Sequence, residues 1–224
     1  MLNTTTDISL GYTVKQGLIC VLDDDEGVRL SLDSLLRSAG YTVRCFASPE
    51  EFLACDVVDA ATCLVLDVQL GKANGLDFQQ ELVNGDNQIP VILISGHGDI
   101  PMTVRAMRAG AVTFLAKPFN DDELLAAIGE AVARDALRRD QLEAAATVRS
   151  RHESLTSRER EVMGLVAAGL MNKQIAGKLD LSEITVKIHR GNLMRKMKAE
   201  SLADLVRMAE LLGVRESVSR YRHD

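Results

Sequence analysis

Four aspartates, a serine and a lysine hold most of the chemistry this sequence can perform. Asp23-Asp24-Asp25 follows the apolar run LICVL, Asp67 follows CLVL, Ser95 follows VILI, and Lys117-Pro118 follows VTFLA. Carboxylates crowded into one small site repel one another unless a cation joins them, and oxygen donors with room for water suit Mg2+. A carboxylate beside such an ion can act as the nucleophile of a phosphoryl transfer. A lysine adds positive charge, and a hydroxyl donates a hydrogen bond to the transferred group. Asp67, the lone acid after its run, is the nucleophile this pattern selects. Asp23 and Asp24 are then the metal-holding pair, with Lys117 and Ser95 as phosphoryl contacts. Each of these groups taken alone reads better as a solvated loop residue; their joint placement after successive apolar runs is what that plainer reading leaves unexplained.

The elements that must position these groups are short. Strands are expected over Leu18–Leu22, Thr42–Phe46, Cys63–Leu66, Val91–Ile94 and Val112–Ala116. The first, third and fourth are nearly unbroken apolar runs, as in parallel strands covered on both faces. Helices fill the gaps, over Gly27–Ser38, Pro49–Ala54, Leu76–Val83, Pro101–Ala109 and Asp121–Val132. Ser48-Pro-Glu-Glu51 offers a capping serine, a proline at the first helical position and a glutamate three residues on. Asn120 before Asp121, Asp122 and Glu123 caps a helix whose first turn is acidic, where the dipole favours acids. Five β-α units in succession predict an α/β fold, a doubly wound five-stranded parallel sheet whose functional groups collect at the carboxyl ends of the strands.

Residues 131–153 contain no Gly or Pro and are rich in Ala, Arg and Glu. They read as the fifth helix continued outward and fraying into a linker, its apolar stripe (Val132, Ala136, Leu137, Leu142) too thin for a clear coiled coil. From Leu155 the pattern is all helical. Thr156-Ser-Arg-Glu159 is a capping box, Gly169 a stop, Asn172–Leu179 a short helix, and Ser182 the cap of a longer one to about Lys198. Ser201 caps a fourth, ending near Gly213. Four short helices joined by tight turns suit a helix-turn-helix module. The expected organisation is a tail over 1–16, the α/β domain over 17–131, a helical linker over 132–153, the all-α domain over 154–213 and a tail over 214–224.

In the helix capped by Ser182, Val186, Leu193 and Met197 share one side, with His189 at its margin. Ile184, Lys187, Ile188, Gly191, Arg195 and Lys198 line another. Between Ile184 and Lys198 there are five Lys or Arg and no acid. A solvated face normally mixes both signs, so a one-signed stripe favours phosphate contact, although a plain basic surface remains the alternative. Charge partitions along the chain in the same sense: residues 1–150 hold 12 Lys+Arg against 22 Asp+Glu, and residues 151–224 hold 14 against 10. A polyanion is thus a candidate partner for the rear half only.

No apolar run approaches the roughly 18–20 residues that cross a bilayer. The start, MLNTTTDISLGYTVKQG, lacks the basic residues and apolar stretch of a secretory signal, so no membrane association and a cytoplasmic location are expected. Cys20, Cys45, Cys55 and Cys63 form no C-x-x-C pair and read as reduced thiols.

Residues 18–130 resemble the receiver domain of two-component response regulators. The matching positions are Asp23, Asp24, Asp67, Ser95, Phe114 and Lys117-Pro118-Phe119, at intervals of 43–44, 28 and 22 residues between the acids, the serine and the lysine. The resemblance implies that Asp67 accepts phosphate from a sensor histidine kinase. It also implies that Asp24, Asp67 and the Gln69 carbonyl bind Mg2+, with Asp23 acting through water. Ser95 and Phe114 would be a switch pair, and Lys117-Pro118 a cis peptide. Where that family usually has an X-Pro shortly after the acceptor, this chain has Leu70-Gly71, which predicts a looser loop and an altered phosphoryl lifetime.

Residues 155–212 resemble a LuxR-type helix-turn-helix through LTSRERE (155–161), Gly169, Asn172-Lys-Gln-Ile-Ala176 and Ser182–His189. In that family the helix capped by Ser182 enters the major groove of double-stranded promoter DNA. By position Lys187 and Ile188 would meet bases. Asn172, Lys173, Thr185, Arg190, Arg195 and Lys198 would meet phosphates. Gly191 stands where relatives often carry a lysine. The pairing of domains, with Gly96-His97-Gly98-Asp99 after the serine, is most similar to the FixJ type of response regulator. That likeness implies a phosphorylation-controlled transcriptional regulator, not an enzyme. Its receivers would form a homodimer through the fourth helix and fifth strand, with RNA polymerase as a further partner. Three other readings stay open. One is a hydrolase with an aspartyl-phosphate intermediate, although it would want a second acid at position 69. The second is a rear domain that binds protein or RNA, and the third is an unphosphorylated, constitutively folded receiver.

Overall fold

A strand with no polar face to offer water must be covered on both sides. The computed structural model, which describes residues 17–85, 87–96 and 98–215, has that arrangement. The chain divides into two compact units, residues 1–138 and 139–224.

In the first unit the long strands are β1 (Leu18–Leu22), β2 (Thr42–Phe46), β3 (Cys63–Asp67), β6 (Val91–Ser95) and β7 (Thr113–Ala116). They form one parallel sheet in the order β2-β1-β3-β6-β7. The helices of this unit are α1 (Glu26–Ser38), α2 (Pro49–Leu53), α3 (Gly75–Asn84), α4 (Ile100–Arg108) and the first turns of α5 (Asp121–Glu153). Alternate side chains of the buried strands enter two different cores. Cys20, Leu22, Leu64, Leu66, Val91 and Leu93 pack with Phe52 of α2, Phe78 of α3 and Ala106 of α4. Ile19, Val21, Cys63, Val65, Ile92 and Ile94 pack with Leu36 of α1 and Leu124 and Ile128 of α5. Strand order reverses between β1 and β3, and the crevice at the carboxyl ends of those two strands is where such sheets bind ligands.

The expected caps form. Ser48 accepts from the Glu51 amide, and Asn120 Oδ1 accepts from the Asp122 amide at 3.1 Å. Two features depart from expectation. The chain after β3 is not loose: β4 (Gln69–Leu70) pairs antiparallel with β5 (Ala73–Asn74), turning at Gly71 with φ +57°. Glycine takes that left-handed conformation without a Cβ penalty, so the residue that replaces proline closes a hairpin of its own. Helix α5 continues outward past residue 132 as expected, but it runs unbroken to Glu153 without the expected fraying. Helix-favouring composition without Gly or Pro between residues 131 and 153 sustains it. Asp135 of α5 is fully buried and pairs with Arg138 at 2.7 Å, so a buried charge is compensated where the helix leaves this unit. The expected tail over 1–16, most of that over 214–224, and His97 lie outside the described residues.

The second unit contains the end of α5 and then α6 (Ser157–Ala167), α7 (Asn172–Leu179), α8 (Glu183–Met197) and α9 (Leu202–Leu211). Leu155, Val162, Met163, Val166, Ile175, Val186, Leu193, Met197, Leu205 and Ala209 make its core, with Val148 of α5 packed against it. The Thr156–Glu159 capping box is present in both directions. Asp180, in the left-handed region at φ 54°, ends α7, and Ser182 caps α8 two residues later.

Candidate functional site: a carboxylate cluster and a basic helix

Three carboxylates converge at the strand ends. One oxygen each of Asp23, Asp24 and Asp67 lies within 4.8 Å of the others. Asp23 is fully buried and Asp67 nearly so, while Asp24 is exposed. Because β1 and β3 are neighbours in parallel register, Leu22 beside Leu66, the residues after them emerge side by side. Lys117, entering from the end of β7 through a cis Lys117-Pro118 peptide, places Nζ 2.7 Å from Asp23 Oδ2 and 3.2 Å from Asp67 Oδ1. Gln69 contributes its amide, which donates to Asp67 Oδ2 at 3.2 Å.

Burial pushes the Asp67 carboxyl above its ordinary pKa, the attraction of Lys117 offsets part of that rise, and the charge of Asp23 adds to it. Burial likewise works against the Lys117 ammonium. Its hydrogen bond to Asp23 and the charges of Asp67 and Asp23 outweigh that effect and hold its pKa above the usual lysine value. A single lysine thus serves more carboxylate charge than it can neutralise. Asp67 Oδ1 is buried, with the Lys117 ammonium at 3.2 Å and no well-formed hydrogen bond beside it. An under-satisfied carboxylate oxygen facing two further carboxylates is a donor set that fits a hard divalent cation.

Ser95, at the end of β6, is fully buried, and its carbonyl accepts from the Lys117 amide at 2.7 Å. Phe114 of β7 is half-buried and packs against the first core; a Cβ at Gly98 would lie 2.9 Å from its ring. Two contributors escaped the sequence reading. Arg29 of α1 donates to the Asp23 carbonyl at 2.8 Å and fixes the loop that carries the acids. Gly75, at the start of α3, lies so close to β3 that a Cβ there would sit 2.1 Å from the Asp67 carbonyl oxygen. Arg29 follows the acids by one helical turn and so left a faint signal. The contact at Gly75 is made only by the fold.

In the second unit α8 presents the expected two faces. Val186, Leu193 and Met197 are buried, whereas Ile184 and Ile188 are 74% and 58% exposed. Lys187, Gly191, Arg195 and Lys198 are exposed as well, and His189 and Thr185 are half-buried. Lys173 of α7 is exposed; Asn172, at the first position of α7, accepts from Arg190 Nη1 at 2.6 Å. Arg195 donates to Asn192 at 3.0 Å. Lys196 instead turns to Glu159, at 2.7 Å, and is neutralised there.

A doubly wound sheet with an acidic cluster and lysine at its switch point, followed by a helix-turn-helix with one basic exposed helix, defines a two-domain signalling protein with a nucleic-acid-binding output. Comparison with known proteins agrees. Residues 19–129 match the response regulator receiver domain, and residues 153–209 match the bacterial regulatory proteins of the luxR family. Nodulation protein W of Bradyrhizobium diazoefficiens is 53% identical over 199 residues, covering 89% of this chain and 88% of that one. The transcriptional regulatory protein FixJ of Rhizobium meliloti is 43% identical, covering 84% and 93%. Among solved structures, that of the response regulator StyR is similar with a TM-score of 0.74 and 44% identity, covering 86% of this chain and 98% of that one. This chain belongs to the FixJ-type response regulators, which join a receiver domain to a LuxR-type DNA-binding domain. No helix among the described residues is long and apolar enough to cross a membrane.

Proposed function

We propose that this chain is a cytoplasmic transcriptional regulator controlled by phosphorylation at Asp67. The observation that carries this reading is the convergence of Asp23, Asp24 and Asp67 within 4.8 Å, with Lys117 reaching two of them. Asp24, Asp67 and the Gln69 carbonyl would hold Mg2+, with Asp23 acting through water. When bound, the ion supplies positive charge for the oxygens of the incoming phosphoryl group. An Asp67 carboxylate oxygen attacks the phosphorus of a phosphohistidine on the sensor kinase. The P–N bond breaks, and the imidazole leaves with its electron pair. Lys117 exchanges its contact with Asp67 for a phosphoryl oxygen, and the Ser95 hydroxyl donates to another. Phe114, packed beneath Gly98, follows Ser95 inward. No further turnover is assigned, since Gln69 stands where a hydrolase would want a second acid.

The output is a homodimer on promoter DNA. Ile100, Val104 and Met107 of α4 are exposed at spacings that put them on one helix face, a surface suited to a second receiver. Lys187 and Ile188 meet bases. Lys173, Thr185, Arg195 and Lys198 meet phosphates, and RNA polymerase is contacted once the dimer is bound. Intact-mass measurement after incubation with acetyl phosphate and Mg2+ tests the first step. Wild type should gain one phosphoryl group and Asp67→Ala none. An unchanged wild-type mass, or the same gain in Asp67→Ala, removes Asp67 from the role.

A further inference from the structure

Arg190 is the basic residue of α8 that a side chain of another helix holds without cancelling its charge. Lys196 is neutralised by a carboxylate, Glu159, at 2.7 Å, Arg195 is exposed and donates to Asn192 of its own helix at 3.0 Å, and Lys187 and Lys198 end in solvent. Arg190 is half-buried and held at 2.6 Å by Asn172, a neutral side chain from the first position of α7. No carboxylate among the described residues pairs with it. The guanidinium is therefore fixed in place with its charge uncompensated, and one Nη1 donor occupied leaves others on the same rigid fork free. Arginine side chains carry large rotamer entropy, and fixing one before binding removes that cost from the binding step.

Resting on the reading of α8 as the DNA-contacting helix, we propose that Asn172 is a positioning residue: it acts through Arg190, presenting that guanidinium to a DNA phosphate rather than touching the duplex itself. This differs from the expectation that both residues contact phosphates independently. It also explains why an amide, and not an acid, occupies position 172. A carboxylate would hold the arginine equally well but would cancel the charge the duplex requires.

The test is a double-mutant cycle on the full-length chain. Affinity for a mixed-sequence duplex is measured over a range of salt concentrations for wild type, Asn172→Ala, Arg190→Ala and the double variant. Arg190→Ala should weaken binding on the order of ten-fold and reduce the slope of log affinity against log salt by about 0.9, the value for one phosphate contact. Asn172→Ala should weaken binding several-fold in wild type and not at all in the Arg190→Ala background. Arg190→Gln, which keeps a donor for Asn172 but not the charge, should behave like Arg190→Ala. Multiplicative losses in the double variant would show that Asn172 meets the duplex directly and overturn the proposal. Wild-type affinity in Arg190→Gln would overturn it too, by showing that the pair merely joins α7 to α8. If wild type itself shows no salt-dependent binding, the reading of α8 fails and the proposal falls with it.

Discussion

Asp67 is the residue on which the electrostatics turn. Its folded-state pKa lies above the unfolded value of about 3.9. The folded protein therefore keeps this proton to higher pH than the unfolded chain does. The resulting stabilisation is complete below the unfolded pKa and is lost as pH rises through the folded one. At neutral pH without divalent cation, the ionised carboxylate is a burden on the fold, and Asp67→Asn is expected to melt at a higher temperature than wild type. Mg2+ should reverse the order by binding the folded wild type, contributing about 2.7 kcal/mol at a hundred times its Kd. Calorimetry with and without Mg2+ checks both signs; a wild type stabilised no more than Asp67→Asn would contradict the metal assignment. The sequence disclosed Asp23, Asp24, Asp67, Ser95 and Lys117 because each follows an apolar run that ends abruptly. It did not disclose Gly75, whose role is to leave room against a strand eight residues earlier, nor Arg29, whose partner is a main-chain carbonyl.

At the scale of elements, local signals were legible where a side chain satisfies the backbone of its own turn. Ser48, Asn120, Thr156, Ser182 and Ser201 all begin helices, as capping chemistry requires. Signals failed where an element is defined by what is absent. The hairpin of β4 and β5 replaces an expected loose loop because Gly71 permits the turn. Helix α5, expected to continue outward and then fray, stays helical to Glu153 because nothing in the sequence stops it. Glu159 shows how one residue couples two elements: it closes the capping box of α6 and binds Lys196 of α8. Burial works against its charge, but the hydrogen bonds from Lys196 and Thr156 outweigh that and hold its pKa below the usual glutamate range. The stabilisation is thus present above the unfolded pKa of about 4.3 and lost as pH falls below it toward the folded value. Glu159→Ala should cost the second unit about 1–2 kcal/mol at neutral pH. Glu159→Gln, which can still cap, should cost less. Urea melts followed by circular dichroism at neutral and acidic pH would show the difference, and it should shrink in acid.

For the whole molecule, charge divides as the two domains do, with the acidic half around the carboxylate cluster and the basic half around α8. The family and the order of its two domains were readable from motifs and their spacing; the homodimer through the fourth helix came only as what the family resemblance implies, because a partly apolar helix carries no mark in sequence of what covers it. Val104→Asp on α4 should leave phosphorylation intact and abolish the phosphorylation-induced increase in mass seen by analytical ultracentrifugation; dimerisation unaffected by this charge would move the interface elsewhere. Coupling between the phosphoryl site and DNA is typically worth about 1–3 kcal/mol in switches of this kind. The most direct measurement is the affinity of the full-length chain for a duplex selected from genomic DNA, with and without acetyl phosphate and Mg2+. Tightening of about ten-fold in wild type and none in Asp67→Ala is predicted. Equal affinity in both conditions, or tightening that survives in Asp67→Ala, would contradict the claim that position 67 controls the DNA-binding domain.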